Sequence, residues 1–477
     1  MAKISRKVKI LIAIALIVAL AVAVYFYLQQ SELSTPLFDD IRWSPEIIRA
    51  GKPVTFNLTI IHTGLLPALG EVKVYVSKYR YVGFSEPTLA GSFKISLNPQ
   101  SSASYTYVWT PPKAGFYRLK FVIEGGGSLT QLVYAAPQNQ TASSFTFAVF
   151  GDNRPNGGIQ PQPDVFKEIA REVRLIHPDF AVLTGDIIYG YRSDIPRLKM
   201  QWNDFLSVYY SSRVPIFVVP GNHEMKTEGY EDSGDPDAQI LYIMNLGRLY
   251  YAFSYGNSFF ILLDTDLVGE ASTVKGKQLE WLKEMLRESK KYEHTFVFMH
   301  KPVVTSPSSD MLINPGKIAE LLVEAGVRAV FQGHNHIYYH EKVGQTDFYV
   351  TGGAGAPLFA SFEHGGVHHF LLVTVNGSNV NVQMVPLDYL DVKYGEDRVE
   401  ISYSFTQKLE FSRNGYSWDA EPQPLTMEGL TFKVIEGEYG VEGGEINRVL
   451  EYKGETWIIV RTLVEPGESK VVKILQK

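Results

Sequence analysis

The chain of 477 residues has no cysteine. Disulfide frameworks and thiolate metal sites are therefore excluded. A chain this long can bury a large core without cross-links, so the absence does not bar an extracellular location. Basic charge is also scarce. Lys and Arg number 45 against 51 Asp and Glu, a net charge of −6. Four of the basic residues, Lys3, Arg6, Lys7 and Lys9, lie before the first apolar run; without them, 41 against 51 leaves −10. A nucleic-acid partner would want clustered Lys and Arg, so none is expected. Repeats and low-complexity tracts are missing. With 45% hydrophobic and 20% charged residues, the composition is that of a globular chain, long enough for roughly two to four domains.

Long apolar runs are rare as well, with one exception. Ile10–Leu28 carries no charge over 19 residues and follows the basic flank 1–9. That length crosses a bilayer, and Tyr25 and Tyr27 stand at its far end, where amphipathic rings favour the interface. A cleaved signal peptide is the rival reading. Its apolar core would be about 7–15 residues, followed by a small-x-small site; the stretch after Leu28, QQSELST, has none. The segment 10–28 is therefore expected to be a single-pass transmembrane helix, a signal anchor in the cell membrane. The basic flank stays cytoplasmic, and everything beyond lies outside the cytoplasm.

Residues 38–126 alternate apolar and polar, rich in β-branched and aromatic side chains, with Gly, Pro or Asn at the breaks. Short strands at this spacing predict an all-β sandwich. AGKPVTFNLTIIHTG and YVWTPPKAGFYRLKFVIE resemble Ig-like modules of the cell-surface type. Residues 127–144, ending in the polar APQNQTASS, read as a linker. From 145 to 387, apolar strands alternate with helical stretches, which implies an α/β layered domain. One helix starts after Pro163, with Phe166, Ile169, Val173 and Ile176 on one face and Asp164 placed to cap it. A second covers Lys317–Ala325 and stops at Gly326. Residues 388–477 return to strand patterns, either as a separate domain or as an extension of the sheet.

Within 145–387, five apolar strands each end in metal-ligand residue types. FAVF runs into Gly151-Asp152, FAVLT into Gly185-Asp186, and VPIFVVP into Gly221-Asn222-His223-Glu224. HTFVFM ends at His300, and VRAVFQ at Gly333-His334-Asn335-His336. Ligands of open α/β sheets bind beyond the carboxyl ends of the strands, so the five tips are expected to converge. Carboxylate, amide oxygen and imidazole suit hard or borderline cations. A carboxylate bridging two ions, about 3.5–4 Å apart, suits in-line displacement at phosphorus. The glycines before Asp152, Asp186, Asn222 and His334 are expected to let backbone approach an ion.

In order and spacing these motifs resemble the calcineurin-like metallophosphoesterase superfamily. The match covers 145–387 and includes YVTGGAGAPL after the last motif. The resemblance implies a layered αββα sandwich and two-metal hydrolysis of phosphate esters by a metal-bound hydroxide. It implies that Asp186 bridges the ions, that Asp152 and His336 hold the first, and that Asn222, His300 and His334 hold the second. His223 would stay off the metals as proton donor or transition-state stabiliser, and Glu224 would orient it.

One position departs from that pattern. Many members carry a first-metal His two residues after the first Asp, where this chain has Arg154. The purple acid phosphatase branch also lacks that His and supplies a Tyr three residues after the second Asp. GDIIYG puts Tyr189 there, which makes this the nearest branch and points to Fe(III) paired with Zn, Mn or Fe. If Tyr189 merely packs beside the site, two divalent ions are expected. Arg154, a planar guanidinium at a strand tip, is expected either to clamp phosphate oxygens or to be a structural Arg. Asn153 is a further candidate for a hydrogen bond in the site. His340 is expected to be structural, and of His368 and His369 one should point inward. The acidic loop 228–237 lacks the spacing of a calcium loop and reads as solvated. The expectation is thus a membrane-anchored extracytoplasmic phosphoesterase. The alternative is a non-catalytic surface binding or adhesion protein with a retired phosphoesterase domain.

Overall fold

The computed structural model describes residues 16–18, 35–139, 143–191, 194–227, 229, 233–305, 311–435, 437–452 and 454–476. The expected transmembrane segment 10–28 lies outside the described residues apart from the helical, exposed Leu16–Val18. Among the described residues no helix is long and apolar enough to cross a membrane.

The chain opens with two antiparallel sheets. β1 (Leu37–Ser44), β2 (Val54–His62) and β5 (Ser101–Trp109) form one, in the order β1-β2-β5. β3 (Ala68–Lys78), β4 (Thr88–Leu97), β6 (Gly115–Ile123) and β7 (Ser128–Ala135) form the other, in the order β4-β3-β6-β7. The period of two in β2 buries Val54, Phe56, Leu58 and Ile60. Across the gap stand Val72, Val74, Leu119 and Phe121, all buried; the rings of Phe56 and Phe121 lie 5.8 Å apart. β7 falls within 127–144 and pairs with β6 from Gly115↔Ala135 to Val122↔Ser128. The stretch expected as a linker is thus half strand. Leu129, Leu132, Val133 and Ala135 of this strand are buried, although a short run beside a Gly-rich turn gave little sign of it.

The next part holds two larger sheets. The first runs β10-β9-β8-β17-β18, where β8 is Ser144–Phe150, β9 Phe180–Leu183, β10 Ile216–Val218, β17 His369–Asn376 and β18 Asn379–Pro386. β8, β9 and β10 are parallel, and β17 returns antiparallel to β8. The second runs β11-β12-β13-β14-β16-β15, comprising β11 (Tyr251–Tyr255), β12 (Ser258–Leu262), β13 (His294–Phe298), β14 (Ala329–Gln332), β15 (Tyr338–Val343) and β16 (Thr346–Thr351). Here β12, β13, β14 and β16 are parallel. Phenylalanines join the sheets: Phe147 of β8 lies 5.4 Å from Phe260 and 5.2 Å from Phe296.

Among the described residues six α-helices connect these strands: α1 (Asp164–Ile176), α2 (Ile195–Ser211), α3 (Asn222–Met225), α4 (Pro236–Leu246), α5 (Gly276–Glu288) and α6 (Pro315–Glu324). Phe166, Ile169, Val173 and Ile176 of α1 are buried together, as their spacing requires. Asp164 is not the cap of α1: Pro163 holds that place, and Asp164 is the first helical residue, paired with Lys167. Beyond Leu387, strands from Leu390 to Gln476 form sheets of their own. They dock on the preceding part, where Trp418 Nε1 donates to the Tyr338 carbonyl at 2.9 Å.

Candidate metal centre

The parallel strands β8, β9 and β10 of one sheet and β13 and β14 of the other all deliver their carboxyl ends to one place. Hydrogen bonds between the loops hold the tips together. Asp152 N donates to Gly185 O at 2.9 Å, Arg154 N to Asp186 O at 2.9 Å, and Gly333 N to His300 O at 2.9 Å. Asp152, Asp186 and His334 all have positive φ, at 60°, 53° and 70°. Side chains rarely adopt that conformation, and it concentrates where neighbouring structure enforces it, often at functional sites.

Two ligand groups result. Asp152, Asp186 and His336 offer donor atoms within 4.8 Å of one another, and so do Asp186, His300 and His334. Asp186 belongs to both. All five are buried. Asn222 joins the second group, with its Oδ1 3.0 Å from His300 Nε2; His300 Nε2 is also 3.1 Å from His334 Nδ1 and 3.1 Å from Asp186 Oδ1. The far sides of the rings set their tautomers. His300 Nδ1 faces the Thr184 carbonyl at 2.8 Å, and His336 Nδ1 faces the Pro357 carbonyl at 2.5 Å. A carbonyl only accepts, so both Nδ1 atoms carry hydrogen and both Nε2 atoms face the centre. This donor set fits two cations.

Burial works to raise the Asp186 carboxyl, but His223 and His300 outweigh it and hold it well below the usual range. Burial works to lower His300, yet the Asp186 carboxylate pushes it up to about 10. A bound cation would supply that positive charge instead and take the imidazole unprotonated.

His223 sits beside the centre rather than in either group. Its Nε2 lies 3.7 Å from Asp186 Oδ2, and its Nδ1 donates to the Tyr189 carbonyl at 2.5 Å. Tyr189 therefore orients His223, and Glu224 does not. The Glu224 carboxylate instead accepts from four backbone N–H groups: Asp186 (2.9 Å), Ile187 (2.8 Å), Ile188 (3.1 Å) and Gly221 (2.8 Å). It ties the second strand tip to the third. Burial and the neighbouring Asp186 push Glu224 up to about 7, against those hydrogen bonds.

Arg154 turns inward. Its Nε is buried without a hydrogen-bond partner and lies 3.6 Å from Asp186 Oδ2. The Tyr189 ring is half-buried, with its centroid 6.0 Å from that of His223; among the described residues its hydroxyl makes no hydrogen bond. Asn153 points away, donating to Gln162 Oε1 at 3.0 Å. His340 bonds Asp347 at 3.0 Å and stacks on Tyr349. His369 is buried and His368 half-buried. Parts of the acidic loop 228–237 lie outside the described residues.

Sequence reasoning passed over four contributors. The Tyr191 hydroxyl accepts from Asn222 Nδ2 at 3.2 Å, and its ring lies 4.6 Å from His223. Phe359 stacks on His336 at 3.8 Å while remaining 58% exposed. The Thr184 and Pro357 carbonyls act through backbone, which no side-chain pattern announces. Only Tyr191, two residues after Tyr189 on the same strand-tip loop, offered a signal.

The family model described as calcineurin-like phosphoesterase matches residues 145–338. Serine/threonine-protein phosphatase CPPED1 of Bos taurus is 28% identical over 238 residues, 46% of this chain and 71% of that protein. Tartrate-resistant acid phosphatase type 5 of Rattus norvegicus is 26% identical over 259 residues, 47% of this chain and 76% of that protein. The 3',5'-cyclic adenosine monophosphate phosphodiesterase CpdA of Haemophilus influenzae is 25% identical over 187 residues, 38% of this chain and 62% of that protein. Residues 145–338 thus match the calcineurin-like phosphoesterase model, and the site described above lies at strand tips within that stretch.

Proposed function

We propose that the protein is a membrane-anchored, extracytoplasmic phosphoesterase that uses two metal ions, in a layered αββα domain preceded by an Ig-like module. The observation that carries the catalytic reading is the pair of buried ligand groups sharing Asp186. Two ions held there supply Lewis acidity and make water nucleophilic near neutral pH.

The remaining work falls to the chain's own residues. Arg154 is aimed at the centre with an unused buried donor, which suits binding of phosphate oxygens. The Tyr189 carbonyl fixes His223 with hydrogen on Nδ1, so Nε2 faces the centre. Burial lowers His223 to about 4 although Asp186 works to raise it, so in the free site Nε2 is unprotonated. Its role as proton donor to the leaving oxygen requires it to gain a proton at Nε2 first. A phosphate anion beside the ring favours that gain. Tyr189 is the proposed phenolate ligand of a first-site Fe(III), which would place the enzyme nearest the acid phosphatases. The support is its position in GDIIYG together with Arg154 standing where a His ligand is usual. The anchor reading rests on the uncharged run 10–28 behind four basic residues.

The test is hydrolysis of a phosphomonoester and a phosphodiester by protein loaded with Fe, Zn or Mn, beside Asp186→Asn. Turnover that Asp186→Asn abolishes is expected. No hydrolysis with any metal, or full activity in the variant, overturns the reading. A tyrosinate-to-iron band in the visible spectrum, lost in Tyr189→Phe, is the expected mark of the phenolate. Active, colourless protein with two divalent ions removes that assignment alone.

A further inference from the structure

The connection from the end of β2 into the start of β3 reads HTGLLPALG from His62 to Gly70, with Ala68–Gly70 already in β3, and carries no acid, Lys or Arg. Three of its leucines face solvent: Leu65 is 66% exposed, Leu66 68% and Leu69 80%. The loop is held in shape. His62 Nε2 donates to the Leu66 carbonyl at 2.6 Å, and Gln100 N donates to the Gly64 carbonyl at 3.2 Å. Exposed apolar clusters of this kind mark surfaces that meet protein or lipid.

Its place in the fold favours lipid. β1 pairs antiparallel with β2, and the first residue of β1, Leu37, stands opposite Ile61 at the end of β2. The chain therefore enters the module at the end that carries the leucine loop. Gly127 N donating to Pro36 O at 2.9 Å fixes the entry point. The uncharged run ends at Leu28, nine residues before Leu37. Even fully extended, nine residues span only about 30 Å. An anchor at 10–28 therefore keeps this end of the module close to the bilayer.

We propose that Leu65, Leu66 and Leu69 form a second membrane contact, dipping into the lipid interface beside the anchor and orienting the module on it. The proposal rests on the anchor reading. Two attachment points fix orientation where one helix and a short connection leave the module free to swing.

The absence of cysteine makes the test clean. Leu66→Cys, labelled with an environment-sensitive fluorophore, goes into the full chain reconstituted in phosphatidylcholine vesicles with a minority of phosphatidylglycerol. Lys113→Cys serves as control. It is exposed in the turn after β5, at the opposite end of β2, about 30 Å away by strand rise. Vesicle flotation is scored first, because a chain that fails to float overturns the anchor reading itself. In floating chains the Leu66 probe is expected to shift to the blue and to be quenched by nitroxide on the lipid acyl chains. The Lys113 probe is expected to do neither. A Leu66 probe that stays water-like overturns the loop contact and leaves the anchor intact. A blue shift without lipid quenching means a second copy or another protein covers the loop, and overturns it equally.

Discussion

Arg154 occupies a place where charge and position pull in different directions. A guanidinium next to a metal site repels cations, yet its buried Nε has no hydrogen-bond partner and is 3.6 Å from Asp186 Oδ2. A buried donor without a hydrogen bond costs about 1–3 kcal/mol, offset in part here by the Asp186 carboxylate, and an incoming phosphate oxygen would supply the missing acceptor. Arg154→Ala is expected to raise KM for a phosphate ester about tenfold or more, with metal content unchanged by elemental analysis. Unchanged steady-state kinetics would make Arg154 structural. The residues that gather into the two groups were legible, because each follows an apolar run and carries a metal-ligand donor type. The partners that set ring orientation were not, because backbone carbonyls of Thr184, Pro357 and Tyr189 do that work whatever their side chains are. Glu224 was misassigned for a related reason. Sequence adjacency put it beside His223, whereas the turn of α3 aims its carboxylate back at the amides of Asp186–Ile188.

Among elements, the strand-tip turns matter most. Their glycines were expected to make room for an ion, but the space is filled by neighbouring loops. A Cβ on Gly221 would lie 2.3 Å from Asp186 N and 2.4 Å from Asp186 Oδ1; one on Gly333 would lie 2.6 Å from Asp152 Oδ2. The small residues bring ligand loops into contact with one another, and the site follows from that contact. Gly221→Ala is therefore expected to cost about 1–3 kcal/mol of stability through overpacking. It should also lower the metal bound per chain, because Asp186 must shift; chemical denaturation and metal analysis read the two effects. Retention of both stability and full metal content would contradict the packing seen here. β7 shows the opposite case, a strand concealed in a stretch that read as linker. Its pairing with β6, distant from any ligand, left no mark stronger than a short apolar run.

Across the molecule, one hydrophobic cluster runs from β1 through the central sheets to the C-terminal strands. Two histidines, the buried His369 and the half-buried His177, make its stability depend on acid. Burial lowers both His177 and His369 to about 4, with backbone hydrogen bonds opposing. A histidine ordinarily near 6.5 that reads about 4 when folded takes up its proton on unfolding. Stability is then full above about pH 6.5 and falls as pH drops toward 4, by about 3 kcal/mol for each such group. His369→Asn, which can keep the bond to the Val367 carbonyl, is expected to flatten the decline between those pH values. An unchanged slope in denaturant unfolding at several pH values would exclude the buried imidazole as its cause.

Local chemistry decided what could be read directly. Periods of two and 3.6 marked most strands and the helix α1, and donor types at five strand ends marked the residues that converge. Those features are properties of short segments, so the sequence suffices for them. The tertiary structure decided what depends on pieces distant in the chain. It set which carboxylate lies in both ligand groups, which ring nitrogen faces inward and what Glu224 holds. It also placed the leucine loop beside the point where the chain enters its first sheet. Each of these follows from how sheets register and pack, and no single segment carries that information.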